Sequence, residues 1–518
     1  MSDQKHIIGK QIVELQVAPG SDVFTLQQEV SFVFRNEVLP RLESLFDRLV
    51  GPDTVIRLEH LEIDLGKIDP TRISGSLVEQ ILPKLEQELR EQIVRLTNTN
   101  PPPGHGSFRV SQSLTESLIY FLENGFLPWW ENRENRSEWE KYVRDNLNQN
   151  PESLKKILVL LKKNPLARER LLLQFGPEIL AVFLKEGNYS FPETLTQNEN
   201  AWVELVRLAG KNRRWDAAAI RAVFHLTVWE IILNGNMSDA PDRVFCHRFI
   251  SIFSQKFRIS YPDFLKQLLE FILEGKPSHH FDETYLRPIL LNLWENWKKQ
   301  TGQKTFSSSR SANPTEEQTE ILPSLKAKDK NKDPFVPWEK PEKFSQDLPE
   351  SGTEIFIGNA GLVLLHPFLP HLFQALKLTE QGKFSDENNR HRAIFLIQYL
   401  ASGKTETPEH ELSLNKILCG LPLSVPVEKN LSLTEAETEE SEELLQAVLG
   451  HWKALKNTGP DGLRYNFLLR EGKLTLTSNG WRLVVEQKTQ DILLGKLPWG
   501  ISKIKLSWMP DMLGVDWA

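Results

Sequence analysis

Residues 6–17, HIIGKQIVELQV, are dense in Ile and Val and predict a strand that ends near Pro19 and Gly20. Phe24, Val30, Val38, Leu42, Leu45 and Leu49 then recur at near-helical spacing, with Ser21 or Asp22 placed to cap the start and Gly51 and Pro52 to stop it. In VIRLEHLEIDLG, Ile56 and Leu58 alternate with polar residues, and Leu61, Ile63 and Leu65 resume the alternation one residue out of phase. That slip predicts a bulge at His60. Ile73, Leu77, Ile81, Leu85, Leu89 and Ile93 repeat every four residues and predict one long helix with a single apolar stripe. Two paired strands beneath two helices make a small α+β unit.

The run NTNPPPGHGS separates this unit from a region that reads as helices of ten to twenty residues, broken at Pro128, Pro151, Pro165, Pro192, Pro241 and Pro262. From residue 301 to about 352 the composition shifts to Ser, Lys, Glu, Asp, Pro and Thr. Such a segment buries too little apolar surface to offset the entropy of ordering it, so it reads as a flexible linker. Beyond it, NAGLVLLHPFLPHLFQAL predicts a helix interrupted by Pro367 and Pro370, and HRAIFLIQYLASG predicts a second. TEAE at Thr434 fits a capping box closed by Glu437. KLTLTS and WRLVVEQ, joined by Asn479 and Gly480, predict a tight hairpin, and ISKIKLSW a last strand pairing with it.

The fold class is therefore mainly α with small α+β terminal regions, a helical middle and a disordered linker. The expected divisions are 1–97 (N-terminal α+β region), 98–113 (Pro/Gly-rich linker), 114–300 (helical region), 301–352 (flexible polar linker) and 353–518 (C-terminal α+β region). Because two strands make a marginal sheet, strands from the last block are expected to complete the first. Both ends would then share one platform with the helical region looped out.

Composition narrows the function classes. Across 518 residues, 62 Lys and Arg against 69 Asp and Glu leave a net charge of -7, so no domain-wide positive field draws in a phosphate backbone, and nucleic acid is not an expected partner. Cys246 and Cys419 build neither a disulfide framework nor a four-ligand zinc site, which fits a reducing, cytosolic folding compartment. The start is polar and no run of about 18 apolar residues occurs, so neither a secretory signal nor membrane insertion is expected.

Candidate chemistry is sparse. His366, His371, His391, His410 and His451 raise a metal site, but Pro367 and Pro370 between the first two deny them adjacent helical turns, and core or surface histidines are the simpler reading. Neither a GxSxG nucleophile turn nor a phosphate-binding glycine loop is present; GPDGLR reads as a turn and GNAGL as a helix start. Six glutamates between Glu435 and Glu443 read as a solvated first turn that complements the helix dipole. No catalytic, cofactor-binding or metal-ligating residue is assigned.

Tryptophans beside Pro or Gly are the least ordinary feature: Trp129 and Trp130 after Pro128, Trp338 after Pro337, Trp499 between Pro498 and Gly500, and Trp508 near Pro510. The plain reading is that such rings plug a core from loops. The sharper one makes Trp129, Trp130, Phe335, Trp338, Trp499 and Trp508 anchors for a partner, since large rings on stiff turns bury much area at little entropic cost. For Phe335 and Trp338, set in a polar segment, the docking reading is the stronger.

The two ends together resemble the contractile injection system tape measure proteins of phage-tail-like particles. The resemblance lies in KQIVELQV, EVLPRLESLFDRLV and IRLEHLEIDLG at the front, and in NAGLVLLHPFLPHLF, HRAIFLIQYLASG, PEHELSLNKILCGLP, HWKALKNTGPDGLRYNFLLREGKL and LPWGISKIKLSWMPDML at the back. It covers about residues 6–95 and 353–517 and leaves the middle unmatched. It implies a non-enzymatic role in setting inner-tube length, with tube, baseplate or spike proteins as partners, assembly in the cytoplasm and a place within the injection particle. It supplies no cofactor or catalytic residue. An assembly chaperone or adaptor that stays off the mature particle is the alternative, and a carried enzyme is the third.

Overall fold

The computed structural model describes residues 4–98, 106–175, 199–209, 259–273, 283–301 and 352–517, apart from isolated positions and short gaps, with scattered helical residues between 182 and 254. The chain is mainly α with α+β ends. It divides into two compact units, one made of residues 1–160 with 349–518, the other of residues 161–348. The flexible stretch expected at 301–352 lies, beyond residue 301 and up to residue 351, outside the described residues.

In the first unit, α1 (Val23–Val33), a π-type turn (Phe34–Val38) and α2 (Leu39–Leu49) follow one another without a break, and Asp22 caps the start by accepting from the Thr25 amide at 3.2 Å. Their buried face, Val33, Val38, Leu42 and Leu45, meets Leu77, Val78, Ile81, Leu85 and Leu89 of α3 (Ile73–Asn98), as the four-residue repeat requires. β1 (Thr54–Arg57) pairs antiparallel with β2 (Gly106–Arg109), with Thr54 opposite Arg109 and Arg57 opposite Gly106.

Three expectations fail here. The described residues between 6 and 17 join no strand ladder, and their start is held against α2 by His6 Nε2 at 2.9 Å from Asp47 Oδ1 and by the Phe46 ring. The partner of β1 comes instead from residues read as a Pro/Gly linker. Nor does a bulge form at His60: the ladder stops at Arg57, and Leu58, Leu61, Ile63, Leu65 and Ile68 continue unpaired along the helical core. Alternation fixes which side chains face inward but leaves the partner strand open.

α4 (Val110–Asn124) ends at Gly125, whose left-handed φ of 83° lets its amide reach Phe121 O at 2.8 Å. α5 (Arg136–Gln149) packs across α4, and Trp139 donates its indole N–H to Ser117 at 3.2 Å.

The C-terminal residues build a short hairpin of β4 (Thr379–Glu380) and β5 (Lys383–Phe384) and their own five-stranded sheet in the order β3 (Glu354–Ile357), β6 (Gly472–Thr477), β7 (Gly480–Val485), β9 (Leu513–Asp516), β8 (Lys503–Ile504). The expected hairpin forms, with Thr477 opposite Gly480. The last strand differs from expectation. Residues 503–504 pair with β9, and β9, which the sequence reading left unassigned, takes the place beside β7 in parallel. Among the described residues no strand of the front block joins this sheet, so the expected completion of one sheet by the other is not seen there.

Helix Glu387–Ser402 is buried through Ala393–Gln398, and helix Glu435–His451 carries the anticipated capping box, with the Thr434 amide donating to Glu437 Oε2 at 2.7 Å and the Glu437 amide to Thr434 Oγ1 at 3.3 Å. NAGLVLL forms a 3-10 helix (Ala360–Leu365) followed by helix Leu369–Ala375, the break falling at Pro367.

In the second unit, helix Tyr261–Leu273 packs on helices Glu199–Ala209 and Glu283–Thr301, helix Pro165–Phe175 precedes them, and Trp202 lies 4.8 Å from the Phe249 ring. Trp294 and Trp297 stack at 5.2 Å on one face of the last of these helices.

Candidate functional site

Four of the six candidate anchors fall among the described residues, each half-buried on a turn. Trp130 covers the Arg57 guanidinium at 4.2 Å, opposite Phe108 at 4.4 Å, while Arg57 donates to Glu116 at 2.7 Å and to Ser113. Burial lowers the Arg57 pKa against the raising effect of Glu116. This clamp joins β1, β2, α4 and the 128–131 turn through one side chain. Trp129 stands edge-on to Trp130 at 5.9 Å, with Gly9 beside its ring. Trp499 donates to Leu364 O at 3.0 Å and packs on Phe368, and Trp508 donates to Leu418 O at 2.8 Å between Phe373 and Phe384. Trp499 and Trp508 thus pack on the C-terminal core from turns. Phe335 and Trp338 lie outside the described residues.

The C-terminal strings that resemble the tape measure proteins pack into one another. In NAGLVLL, a Cβ on Gly361 would stand 1.7 Å from Phe467 O, within HWKALKNTGPDGLRYNFLLREGKL. Gly420 of KILCGLP has a φ of +66° and would place a Cβ 2.4 Å from Trp508 O, in ISKIKLSWMP. Asn359 donates to Gln398 Oε1 and Asn415 Oδ1, both at 2.8 Å, tying NAG to HRAIFLIQYL and LSLNK. Glu409 and Lys416 form a fully buried ion pair, and Lys416 Nζ also donates to Leu423 O at 3.0 Å and Val425 O at 2.7 Å.

Histidines and cysteines serve the core in the same way. Burial, helped by the Lys416 and Arg390 charges, brings the His391 pKa down to about 4. His366 is lowered by burial, and its Nδ1 sits 2.9 Å from Val363 O. Burial pushes the Cys419 thiol pKa up, away from thiolate chemistry. Among the described residues, no group of three His, Cys, Asp or Glu side chains converges as a metal site, and no helix is long and apolar enough to cross a membrane.

Two features escaped the sequence reading. Ile7, Ile8, Ile12, Val13, Leu15, Val17, Val23, Phe24, Phe32 and Leu39 are all exposed, Phe24 by 68% and Phe32 by 63%. The signal was present: Ile and Val fall on both faces of residues 6–17, which suits a segment awaiting a cover. The second is Phe126, which is buried in the core of the C-terminal residues.

Against known proteins, the family model described as contractile injection system tape measure protein matches residues 5–517. The chain belongs to that family. No curated protein and no solved structure matches it. Membership places this tape measure protein in contractile injection system assembly, in contact with the tube and other particle proteins, in a family whose role is structural. The family match also spans the middle, which the resemblance read from the sequence had left out.

Proposed function

We propose that this tape measure protein is a non-enzymatic assembly factor whose folded ends dock on tube, baseplate or spike components while residues 161–348 set the spacing. It is made in the cytoplasm and enters the particle. The match over residues 5–517 carries the reading. The exposed Ile, Val and Phe residues between 7 and 39 support it as a docking surface, because apolar side chains left in water gain from being covered by a partner. Deleting about 20 to 40 residues between 161 and 348 removes about 30 to 60 Å of helical contour. Electron micrographs of the resulting particles are expected to show shorter tubes, and unchanged tubes would remove the length-setting role.

Residues 1–160 and 349–518 fall in one unit, which favours a second reading, a compact adaptor that leaves before maturation. Mass spectrometry of purified particles separates the two: a stoichiometric amount supports the built-in ruler, and its absence the adaptor.

A further inference from the structure

The core of the C-terminal residues is nearly self-contained. Its buried members run from Ile355 to Trp517, with a single addition from the front of the chain, Phe126, which is 1% exposed. Tyr120 packs on the same core from its edge and stands edge-on to Phe126 at 5.6 Å. Beside this plug, His410 receives the Phe121 and Trp139 rings, each at 5.8 Å and near right angles. A small cavity bounded by Phe126, Leu127, Pro128, Glu131, Ile355, Phe356 and His410 marks the seam. All five strands of the sheet come from residues 354–516.

A seam made of one buried ring, edge-on aromatics and a gap differs from the interior on either side. When the two bodies part, the C-terminal body loses the Phe126 ring from its core, with the Tyr120, Phe121 and Trp139 packing beside it, and keeps every strand partner. The front body keeps the Arg57 clamp, whose partners Phe108, Ser113, Glu116 and Trp130 all lie between residues 57 and 130.

We propose that residues 110–131 act as a releasable strap, which holds the front of the chain on the C-terminal body through Phe126 and lets go during assembly. This rests on the length-setting reading. Residues 161–348 begin and end on the same unit while the strap holds, so they cannot separate the two ends, and release frees the ends to part without unfolding the C-terminal sheet.

The test uses the full chain with a specific protease site placed within residues 302–351, cut after folding. The two pieces are expected to co-elute on size exclusion at micromolar concentration. Phe126→Ala is expected to weaken their association at least about 100-fold, and Phe126→Leu by less, since the loss scales with the side-chain volume withdrawn from the core. In both, the separated C-terminal piece retains the near-ultraviolet circular dichroism of its buried tryptophans. Wild-type pieces that fall apart on cutting, pieces whose association ignores Phe126, or a C-terminal piece that loses its dichroism on separation would each overturn the strap. None of these readouts involves tube length, so the deletion series between 161 and 348 stands or falls separately.

Discussion

The two α+β ends of this tape measure protein hold themselves together in different ways. The front relies on one apolar stripe, Val33 to Leu45 against Leu77 to Leu89, and on the Arg57 clamp, and leaves ten large apolar side chains open to solvent between residues 7 and 39. The C-terminal body adds buried amide and ion-pair networks and glycines at backbone contacts that no Cβ could enter. A hydrophobic stripe accepts many neighbours, because burial is non-directional. Buried polar groups accept only the geometry that satisfies them. The front is thus the half suited to taking a partner, and the back the half suited to staying the same while it does.

The sharpest way to break this contrast is Gly361→Ala. A Cβ at 1.7 Å from Phe467 O forces the NAGLVLL turn off its seat, and a loss of more than about 4 kcal/mol is expected, seen as a missing C-terminal thermal transition. The equivalent change at Gly51, where nothing lies within 4 Å, is expected to leave the melt almost unmoved.

Next comes the buried pair. Lys416→Met strands the Glu409 carboxylate in the core, and about 3 to 5 kcal/mol should be lost in urea titrations. Adding Glu409→Leu is expected to restore most of it, since the uncompensated charge is gone. If the double variant is no better than the single, the pair matters through its backbone hydrogen bonds instead.

Protonation gives the third handle. The folded His391 pKa of about 4 lies below the ordinary 6.5, so the unfolded chain takes up the proton first as pH falls. Stability is therefore full above about pH 6.5 and drains away toward pH 4, by about 3 kcal/mol in all. Melts of His391→Gln across this range are expected to lose that slope. In Lys416→Met the slope should shrink, because one of the charges opposing protonation has been removed.

The smallest effect on folding should come from the front. Phe24→Ser with Phe32→Ser alters side chains that are 68% and 63% exposed, and stability should change by no more than about 0.5 kcal/mol. Incorporation into particles, read by immunoblot after purification, is expected to fall sharply all the same. Normal incorporation would move the docking surface elsewhere.

Local signals in the sequence were read well wherever one element decides its own form. The four-residue repeat of α3, the Thr434 cap and the hairpin around Gly480 all depend on neighbours within a few residues. The long strings that carry the family resemblance were legible as strings, though not as the interlocking contacts of Gly361 with Phe467 or Gly420 with Trp508, because a close approach joins residues about 90 to 110 apart and leaves no periodicity.

Strand partnership was the chief loss. Residues 6–17 and 54–57 each look like strands, yet only the second is paired, and its partner sits in a Gly/Pro-rich stretch with no alternation to announce it. β9 is short and was hidden by Gly514 and the charged Asp516. Composition and periodicity determined the class of fold and the position of the main helices, and the resemblance of the two ends pointed to the family. Tertiary structure alone decided that β1 pairs with β2, that β9 separates β8 from the hairpin, and that Phe126 fills a core built more than 200 residues further along the chain. The physical reason is that a backbone ladder and a buried ring are indifferent to where along the chain their partners come from.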